Sequence, residues 1–150
     1  MPQSLANILV HLVFSTKDRR PLIDEGISDE LHRYLSTACK TCGCPALRVG
    51  GTADHVHILF SLSRTTTVAD VVQTVKADSS KWAKTKGRKY EQFAWQAGYG
   101  AFSISQSQVN RLTRYIAEQV KHHTTGTFQD EFRALLRKYE VEYDERYVWD

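Results

Sequence analysis

The order in which strand-like and helix-like segments follow one another restricts the folds open to this chain. Short runs rich in β-branched and aromatic residues predict strands, and apolar residues recurring three and four positions apart predict helices. These patterns predict strands over residues 7–15, 46–51, 55–62 and 93–104, and helices capped by Ser28 and Thr67, over 106–122 and over 128–139. The β-α-β-β-α-β order predicts an α+β, ferredoxin-like fold: an antiparallel sheet with helices packed on one face, followed by C-terminal helices.

Particular residues set the boundaries of several of these elements. Gly43 and Pro45 end the first helix, because neither residue continues a helix readily. The basic stretch from Lys81 to Lys89 predicts an exposed loop, and two glycines within 93–104 predict a bend in the fourth strand. In a ferredoxin-like sheet the first and third strands occupy the centre, so the strand over 55–62 is predicted to be central.

Composition places the chain among globular proteins and leaves its partner open. A length of 150 residues, with 41% hydrophobic and 25% charged residues, predicts one domain over 1–150 with a substantial core. The net charge of +3 permits a polyanionic partner without requiring one. The first residues lack the pattern of a signal peptide, and the apolar run from Ile8 to Phe14 is shorter than the ~20 residues of a membrane span. A cytoplasmic protein without a membrane partner is therefore expected.

His55 and His57 stand two positions apart in the predicted third strand, in the run Asp54-His55-Val56-His57. Side chains alternate across a strand, so the two imidazoles share one face with attachment points roughly 7 Å apart. Both can reach one metal ion, although a His-x-His pair taken alone is more often structural than a ligand pair. A metal site needs further ligands from elsewhere in the chain.

Tyr115 and Gln119 lie four residues apart in the predicted helix over 106–122, so they share one side of it. At about 100° per residue, that side is roughly 80° from the centre of the apolar stripe, where a side chain can reach a cleft. The amide oxygen of Gln119 is a hard ligand suited to magnesium or manganese, and Tyr115 offers a phenol. Taken singly, the tyrosine suggests a packing residue and the glutamine a surface residue.

Further segments accompany these residues in order along nearly the whole chain. They are Ser79-Ser80-Lys81-Trp82, the run from Trp95 to Ser103, Tyr115-Ile116-Ala117-Glu118-Gln119, and His122-His123 before Thr127-Phe128. Together with the histidine–hydrophobic–histidine (HUH) pair, they resemble the small single-tyrosine HUH transposases of insertion sequences that move as single-stranded DNA, the IS200-like transposase family.

The resemblance implies an activity, a cofactor and a site. The tyrosine matching Tyr115 attacks a phosphodiester, forms a 5′-phosphotyrosine link and releases a 3′-hydroxyl. Residues matching His55, His57 and Gln119 hold Mg²⁺ or Mn²⁺. The substrate is single-stranded DNA with hairpins at the ends of the element. Members of the family form homodimers in which the tyrosine helix of one subunit can complete the metal site of the other, so a shared site is expected.

Basic and aromatic residues are the candidates for contacts with DNA, because such side chains together suit a single strand. The stretch from Lys81 to Lys89 is favoured among them, although any one basic residue is more often solvated surface. The candidate DNA contacts are Arg19, Arg20, Lys76, Lys81, Trp82 and Arg88.

Several residues have more than one interpretation. His122 lies two turns after Tyr115 and could take its proton, whereas His122 and His123 together could simply favour the dipole at a helix end. His11 is interpreted as a core histidine that could instead face the cleft of the HUH pair. A cluster of three cysteines predicts reduced thiols at a helix end rather than zinc, because no second pair of ligands follows. The cluster is Cys39, Cys42 and Cys44.

Two other functions remain open from the sequence. A domesticated relative that cuts repeated genomic hairpins would share the same active-site residues. A non-catalytic ferredoxin-like module that binds nucleic acid would keep the sheet and lose the chemistry. The intact Tyr-x-x-x-Gln pattern argues against the second alternative.

Overall fold

In the computed structural model, which describes residues 2–123 and 126–150, four strands form one antiparallel sheet in the order β2-β3-β1-β4. The strands are β1 (Leu9–Ser15), β2 (Ala46–Gly51), β3 (His55–Ser61) and β4 (Gly100–Ile104). The helices are α1 (Ser28–Thr41), α2 (Val68–Lys84), α3 (Val109–Ala117), α4 (Gln119–His122) and α5 (Phe128–Lys138). The α+β prediction is confirmed, and β3 lies in the centre of the sheet as expected. Over the described residues, no helix is long and apolar enough to cross a membrane.

One face of the sheet carries the larger hydrophobic core and is covered by α1 and α2. Alternate residues of β1 and β3 point into this core, which also receives side chains from both helices. Because each inward residue is fully or nearly fully buried, this face supplies most of the apolar burial that stabilises the domain. The core includes Val10, Leu12, Phe14, Val56, Ile58, Phe60, Leu31, Leu35, Val71 and Val75.

The opposite face of the sheet is covered by α3, α4 and α5. Leu59 of β3 packs with Ile116 of α3, and Val13 of β1 packs with Phe132 of α5. The expectation of helices on one face therefore holds for α1 and α2, while the C-terminal helices bury the other face. His55 and His57 point towards these C-terminal helices, because they alternate with residues of the larger core.

The three cysteines at the end of α1 are all free thiols. Cys39 and Cys44 are buried, and burial raises the pKa of Cys39 to about 12.

One of the two predicted helix caps is present. Thr67 caps α2 by accepting from the Asp70 backbone N–H at 3.1 Å, as predicted. The predicted cap at Ser28 is wrong: Ser28 is already helical, because its N–H bonds to the Asp24 carbonyl in the preceding turn.

The basic loop predicted over Lys81–Lys89 begins later than expected. Helix α2 continues to Lys84, because Ala83 is buried and the Trp82 ring stacks on Tyr34 with centroids 5.1 Å apart. Packing against α1 therefore overrides the polar character of this stretch.

The fourth strand is shorter than the predicted span of 93–104. Strand β4 begins at Gly100, and Trp95 forms only an isolated bridge with Thr16. The Lys76 ammonium explains the gap, because it binds the carbonyl oxygens of residues 96, 97 and 98 at 2.8, 3.2 and 2.6 Å. The lysine thus takes the place of a backbone N–H as hydrogen-bond donor to these carbonyls.

Two glycines let the C-terminal helices approach the sheet closely. A Cβ atom at Gly50 of β2 would lie 2.6 Å from the backbone oxygen of Ile116, and one at Gly100 of β4 would lie 2.7 Å from the Phe132 ring. Both distances are too short for real Cβ contacts. Because the clash at Gly50 is with helix backbone, a side chain there would require α3 to move, whereas one at Gly100 would require the Phe132 ring to move. Ile116 and Phe132 are the chain neighbours of Tyr115 and Glu131.

Candidate metal site and nucleophile

His55 and His57 meet a carboxylate from α5 on the buried face of the sheet. Both histidines are fully buried, and their Nε2 atoms lie 3.4 and 2.9 Å from Oε1 of Glu131. Ligand atoms of these three residues all lie within 4.8 Å of one another, which is close enough for a shared metal ion. The predicted pair of histidines therefore acquires a third potential ligand.

Sequence reasoning missed Glu131, although the sequence held a signal for it. Phe128, Phe132, Leu135 and Leu136 define the apolar stripe of the last helix. Glu131 lies three residues after Phe128 and four before Leu135, in the middle of that stripe. A carboxylate on the buried side of a helix needs a partner, because burying an unpaired charge is costly. That position should have marked Glu131 as a site residue.

Gln119 joins the same cluster from the start of α4. Its Oε1 lies 2.8 Å from His55 Nε2, and its Nε2 donates to Glu131 Oε2 at 3.0 Å. The helix predicted over 106–122 is broken at Glu118, where φ is −101° and ψ is 19°. Gln119 is nevertheless 1% exposed, so the break does not remove it from the buried face.

The donor atoms fit a divalent ion in both chemistry and spacing. Imidazole nitrogen, carboxylate oxygen and amide oxygen are ligands that Mn²⁺ accepts, and the oxygens also suit Mg²⁺. An octahedral site with bonds of about 2.1 Å has ligand–ligand edges of about 3 Å. The separations of 2.8, 2.9 and 3.4 Å between these atoms match such edges. His55, His57, Glu131 and Gln119 are therefore the residues that could hold the ion.

The far sides of both imidazoles are fixed by hydrogen bonds. His55 Nδ1 lies 2.7 Å from Oδ1 of Asp54 and 2.9 Å from the Thr52 hydroxyl. His57 Nδ1 lies 2.7 Å from Nε2 of His11, a residue that is 1% exposed. Such partners orient metal-binding histidines and select their tautomer. The structure thus places His11 directly behind the HUH pair, the second of its two interpretations.

Burial and hydrogen bonds with Glu131 set the pKa values of the two histidines. Burial disfavours the charged ring of His55, yet hydrogen bonds to Asp54, Glu131 and Gln119 outweigh it and raise the pKa to about 9. Burial would raise the pKa of Glu131, but hydrogen bonds from His55 and His57 hold that pKa well below its usual range. For His57, complete burial prevails and lowers the pKa. A charged His55 and an ionised Glu131 thus face each other beside a neutral His57.

Tyr115 reaches this cluster from α3 of the same chain. Its hydroxyl donates to Oε2 of Glu131, and its ring stands edge-on to His57 with centroids 5.9 Å apart. Burial and the Glu131 carboxylate raise the pKa of the phenol well above its usual range. A phenol this hard to ionise needs help before it can act as a nucleophile.

The two histidines at the end of α4 contact the site in different ways. The His122 ring stacks on Tyr115 with centroids 4.8 Å apart, and His123 Nε2 donates to Glu131 Oε1 at 3.1 Å. The His123 ring also lies 4.6 Å from the ring of His55. Interaction with the helix dipole alone therefore does not account for these residues.

The structure separates most candidate DNA contacts from this cluster. Lys81 and Trp82 lie on α2, and Arg88 lies just beyond it, so they belong to the opposite side of the sheet. These three stay predictions, as does exposed Arg20.

Two of the candidate DNA contacts are held by other protein groups. The ammonium of Lys76 binds three backbone carbonyls, one for each of its N–H groups. Arg19 is half-buried, with its guanidinium 5.7 Å from the centre of the Trp149 ring. As DNA contacts, both residues stay predictions.

A match to a family model identifies the family of this protein. The model described as "Transposase IS200 like" matches residues 4–119, more than three quarters of the chain. The chain belongs to the IS200-like transposase family. Membership implies an enzyme that cleaves DNA and transfers strands. Glu131 and His123 lie beyond the residues matched by the family model, so the structure adds them to the site independently.

Individual members of the family and solved structures agree with this assignment. The ISDra2 transposase TnpA of Deinococcus radiodurans is 22% identical over 114 residues, which cover 73% of this chain and 81% of the relative. The crystal structure of a candidate transposase from Deinococcus radiodurans R1 matches with a TM-score of 0.62 and 20% identity, over 79% of this chain and 98% of that chain. A REP-associated tyrosine transposase bound to a REP hairpin matches with a TM-score of 0.59 and 13% identity, over 81% of this chain and 72% of that chain. These structures support the shared fold.

The close approach at Gly50 makes the position of α3, which carries Tyr115, sensitive to a single methyl group. Gly50→Ala is expected to push α3 away from β2 and to slow DNA cleavage about 100-fold, because displacement of a reacting group by 1 Å has that effect. Cleavage assays together with thermal unfolding would check this. Gly126→Ala is the control, since a Cβ there meets nothing within 4 Å. Equal cleavage by both variants would show that α3 can shift without consequence.

Proposed function

We propose that this protein is a metal-dependent transposase that cleaves and rejoins single-stranded DNA at the ends of its own element through a 5′-phosphotyrosine intermediate. The observation that carries the proposal is the meeting of the Tyr115 hydroxyl with Glu131, whose other oxygen faces His55 and His57. A nucleophile and a set of metal ligands thus share one carboxylate. Because the substrate is DNA inside the cell, the proposal includes a cytoplasmic location.

Tyr115 is the nucleophile in this proposal. Its phenol oxygen attacks the scissile phosphorus, the new bond from tyrosine to phosphorus forms, and the bond to the 3′-oxygen breaks. Oε2 of Glu131 orients the hydroxyl by accepting its hydrogen bond, the phenol proton passes to solvent as the new bond forms, and the departing 3′-oxygen takes a proton from solvent. The link to tyrosine retains the bond energy, so another 3′-hydroxyl can reverse the step and join strands without ATP.

His55, His57, Glu131 and Gln119 would hold Mg²⁺ or Mn²⁺, which adds Glu131 to the predicted ligand set. Such an ion supplies a Lewis acid that polarises the scissile phosphate. For Nε2 of His57 to serve as a ligand, the proton of that ring must lie on Nδ1. Nε2 of His11 is placed to accept it there, at 2.7 Å.

A hairpin in single-stranded DNA is the substrate form that we propose. The REP-associated relative is bound to a REP hairpin, and this chain shares its fold. A domesticated protein that cuts repeated genomic hairpins would use the same residues, so it is the alternative within the family. The non-catalytic alternative is disfavoured, because it gives no role to the meeting of the Tyr115 hydroxyl and both histidines on one carboxylate.

Formation of a covalent adduct tests the proposal. The full chain is incubated with labelled single-stranded oligonucleotides that carry the hairpins flanking its gene, with Mn²⁺ or with EDTA, and run on a denaturing gel. We expect a slower-migrating protein–DNA band that requires the metal ion. Absence of this band with every flanking hairpin would overturn the proposal.

The arrangement of subunits gives a separate prediction. One chain brings Tyr115 and Gln119 to its own His55 and His57, so we expect a site completed within a single subunit rather than shared in a homodimer. A co-expressed mixture of Tyr115→Phe and His57→Ala chains should therefore remain inactive in the adduct assay, whether or not the chains associate. Recovery of adduct on the His57→Ala chain would establish the shared site that the family resemblance implies.

A further inference from the structure

A groove of about 500 Å³ runs between α3 and α5 on the face of the sheet that carries the site. We call it the α3–α5 groove. Tyr115 and Glu131 line it, and His11 and Ile104 contribute from the sheet beneath. Anything bound in this groove therefore lies beside the proposed nucleophile.

The walls of the groove combine apolar surface with positive charge. Leu112 of α3 and Leu135 of α5 supply apolar contacts, and Tyr139 lies beyond the end of α5. The exposed side chains of Arg111 and Lys138 line the same groove. A nucleotide matches this combination, because its base is largely apolar on its faces and its phosphates are anionic.

The two carboxylates that line the groove do not exclude an anionic nucleotide. Glu131 is engaged by the histidines and Tyr115, and Asp130 lies 3.4 Å from the Arg133 guanidinium. Both acids stand in the first turn of α5, whereas Lys138 closes its last turn. The cationic side chains therefore lie away from the carboxylates along the groove.

The spacing of the cations along the helices suits a strand that leads away from the nucleophile. Arg111 precedes Tyr115 by one helical turn, about 6 Å along the axis. Lys138 follows Glu131 by two turns, about 10 Å along the axis. A phosphate attacked by Tyr115 would thus be followed, within the reach of these side chains, by the next phosphate of the strand.

We propose that the α3–α5 groove binds the nucleotide adjoining the scissile phosphate, with its base against Leu112 and Leu135 and its outer phosphate at Arg111 and Lys138. This inference rests on the proposed function, since it names part of the same substrate. It also assigns DNA contacts to residues distinct from the basic stretch on α2.

Matched pairs of variants test the charged part of the groove. Arg111→Ala and Lys138→Ala are compared with Arg114→Ala and Arg137→Ala, which remove exposed cations from the same helices outside the groove. All four are made in a Tyr115→Phe chain, and the affinity for the labelled hairpin oligonucleotides is measured by fluorescence anisotropy at several salt concentrations. We expect the groove variants to bind about 10-fold more weakly, with a salt slope reduced by about 0.7 per lost phosphate contact. Equal losses in groove and control variants would overturn the proposal.

A variant that fills the groove tests its apolar part without changing any charge. Ala134 is exposed and lines the groove, so Ala134→Trp should block it while the core stays intact. We expect adduct formation to fall more than 10-fold while Mn²⁺ binding, measured by calorimetry, is unchanged. Normal adduct formation by this variant would exclude a nucleotide in the groove.

Abasic substitutions identify the bound nucleotide and separate this proposal from the proposed function. Once the cleavage site is mapped, removing the base on one side of it should weaken binding to the parent chain but not to the Ala134→Trp chain. Additive effects of base removal and groove filling would contradict the inference. If the wild-type chain forms no adduct but the groove variants still lose affinity, the catalytic proposal fails and the groove proposal stands.

Discussion

Tyr115→Phe is expected to abolish the covalent protein–DNA adduct while the protein stays folded and still binds DNA. The substitution removes only the phenol oxygen, so the stacking of the ring on His122 and its edge contact with His57 are retained. Loss of a nucleophile leaves no route to the covalent intermediate, and comparable losses in other enzymes lower the rate by about 10⁶-fold. A denaturing gel with labelled hairpin oligonucleotides measures the adduct, and circular dichroism checks the fold.

Tyr147→Phe is the matched control for this experiment, because Tyr147 is 64% exposed and lies outside the cluster. Its adduct yield should equal that of the wild-type chain. Mass spectrometry of the digested wild-type adduct should place the nucleotide on the peptide that contains Tyr115. An adduct that persists in Tyr115→Phe would mean that another side chain attacks the phosphate.

Glu131→Gln is expected to have the second largest effect, on metal binding and cleavage together. Glutamine keeps the size of the side chain but removes the charge opposite His55 and His57. It also replaces a carboxylate oxygen, which accepts from Tyr115, with a weaker acceptor. We expect Mn²⁺ affinity to fall 10- to 100-fold by calorimetry, a magnitude typical of losses around metal sites. Adduct formation should fall by about 100-fold or more, since metal binding and the positioning of the Tyr115 hydroxyl are both impaired.

Thermal unfolding distinguishes a metal ligand from a merely structural carboxylate. Binding of Mn²⁺ to the folded state alone raises the midpoint of unfolding by an amount that grows with the logarithm of the affinity. The rise should be clear for the wild-type chain and small for Glu131→Gln. Glu142→Gln removes the same charge from an exposed position and should behave as wild type. An unchanged response to Mn²⁺ in Glu131→Gln would remove Glu131 from the ligand set.

The sequence predicted the parts of the site that follow from local geometry. Strand alternation placed His55 and His57 on one face, and helical spacing placed Tyr115 and Gln119 on one side. The structure brings all four together, although a break at Glu118 interrupts the helix.

Contacts between distant segments were beyond what the sequence patterns could predict. Glu131 meets His57 across 74 residues of chain, and no local pattern encodes that pairing. A basic side chain in a sequence also does not reveal that three carbonyls fold around it, as they do around the ammonium of Lys76. The late start of the fourth strand, at Gly100, has the same cause.

The glycines beneath the C-terminal helices bear on how copies of a mobile element decay. We expect a copy to lose activity by a single substitution at Gly50 or Gly100 while its histidines, tyrosine and carboxylate all remain in the gene, because an added methyl group would displace α3 or the Phe132 ring. A survey that judges copies by their chemical residues alone would count such genes as functional. An inventory of active copies should therefore require both glycines as well.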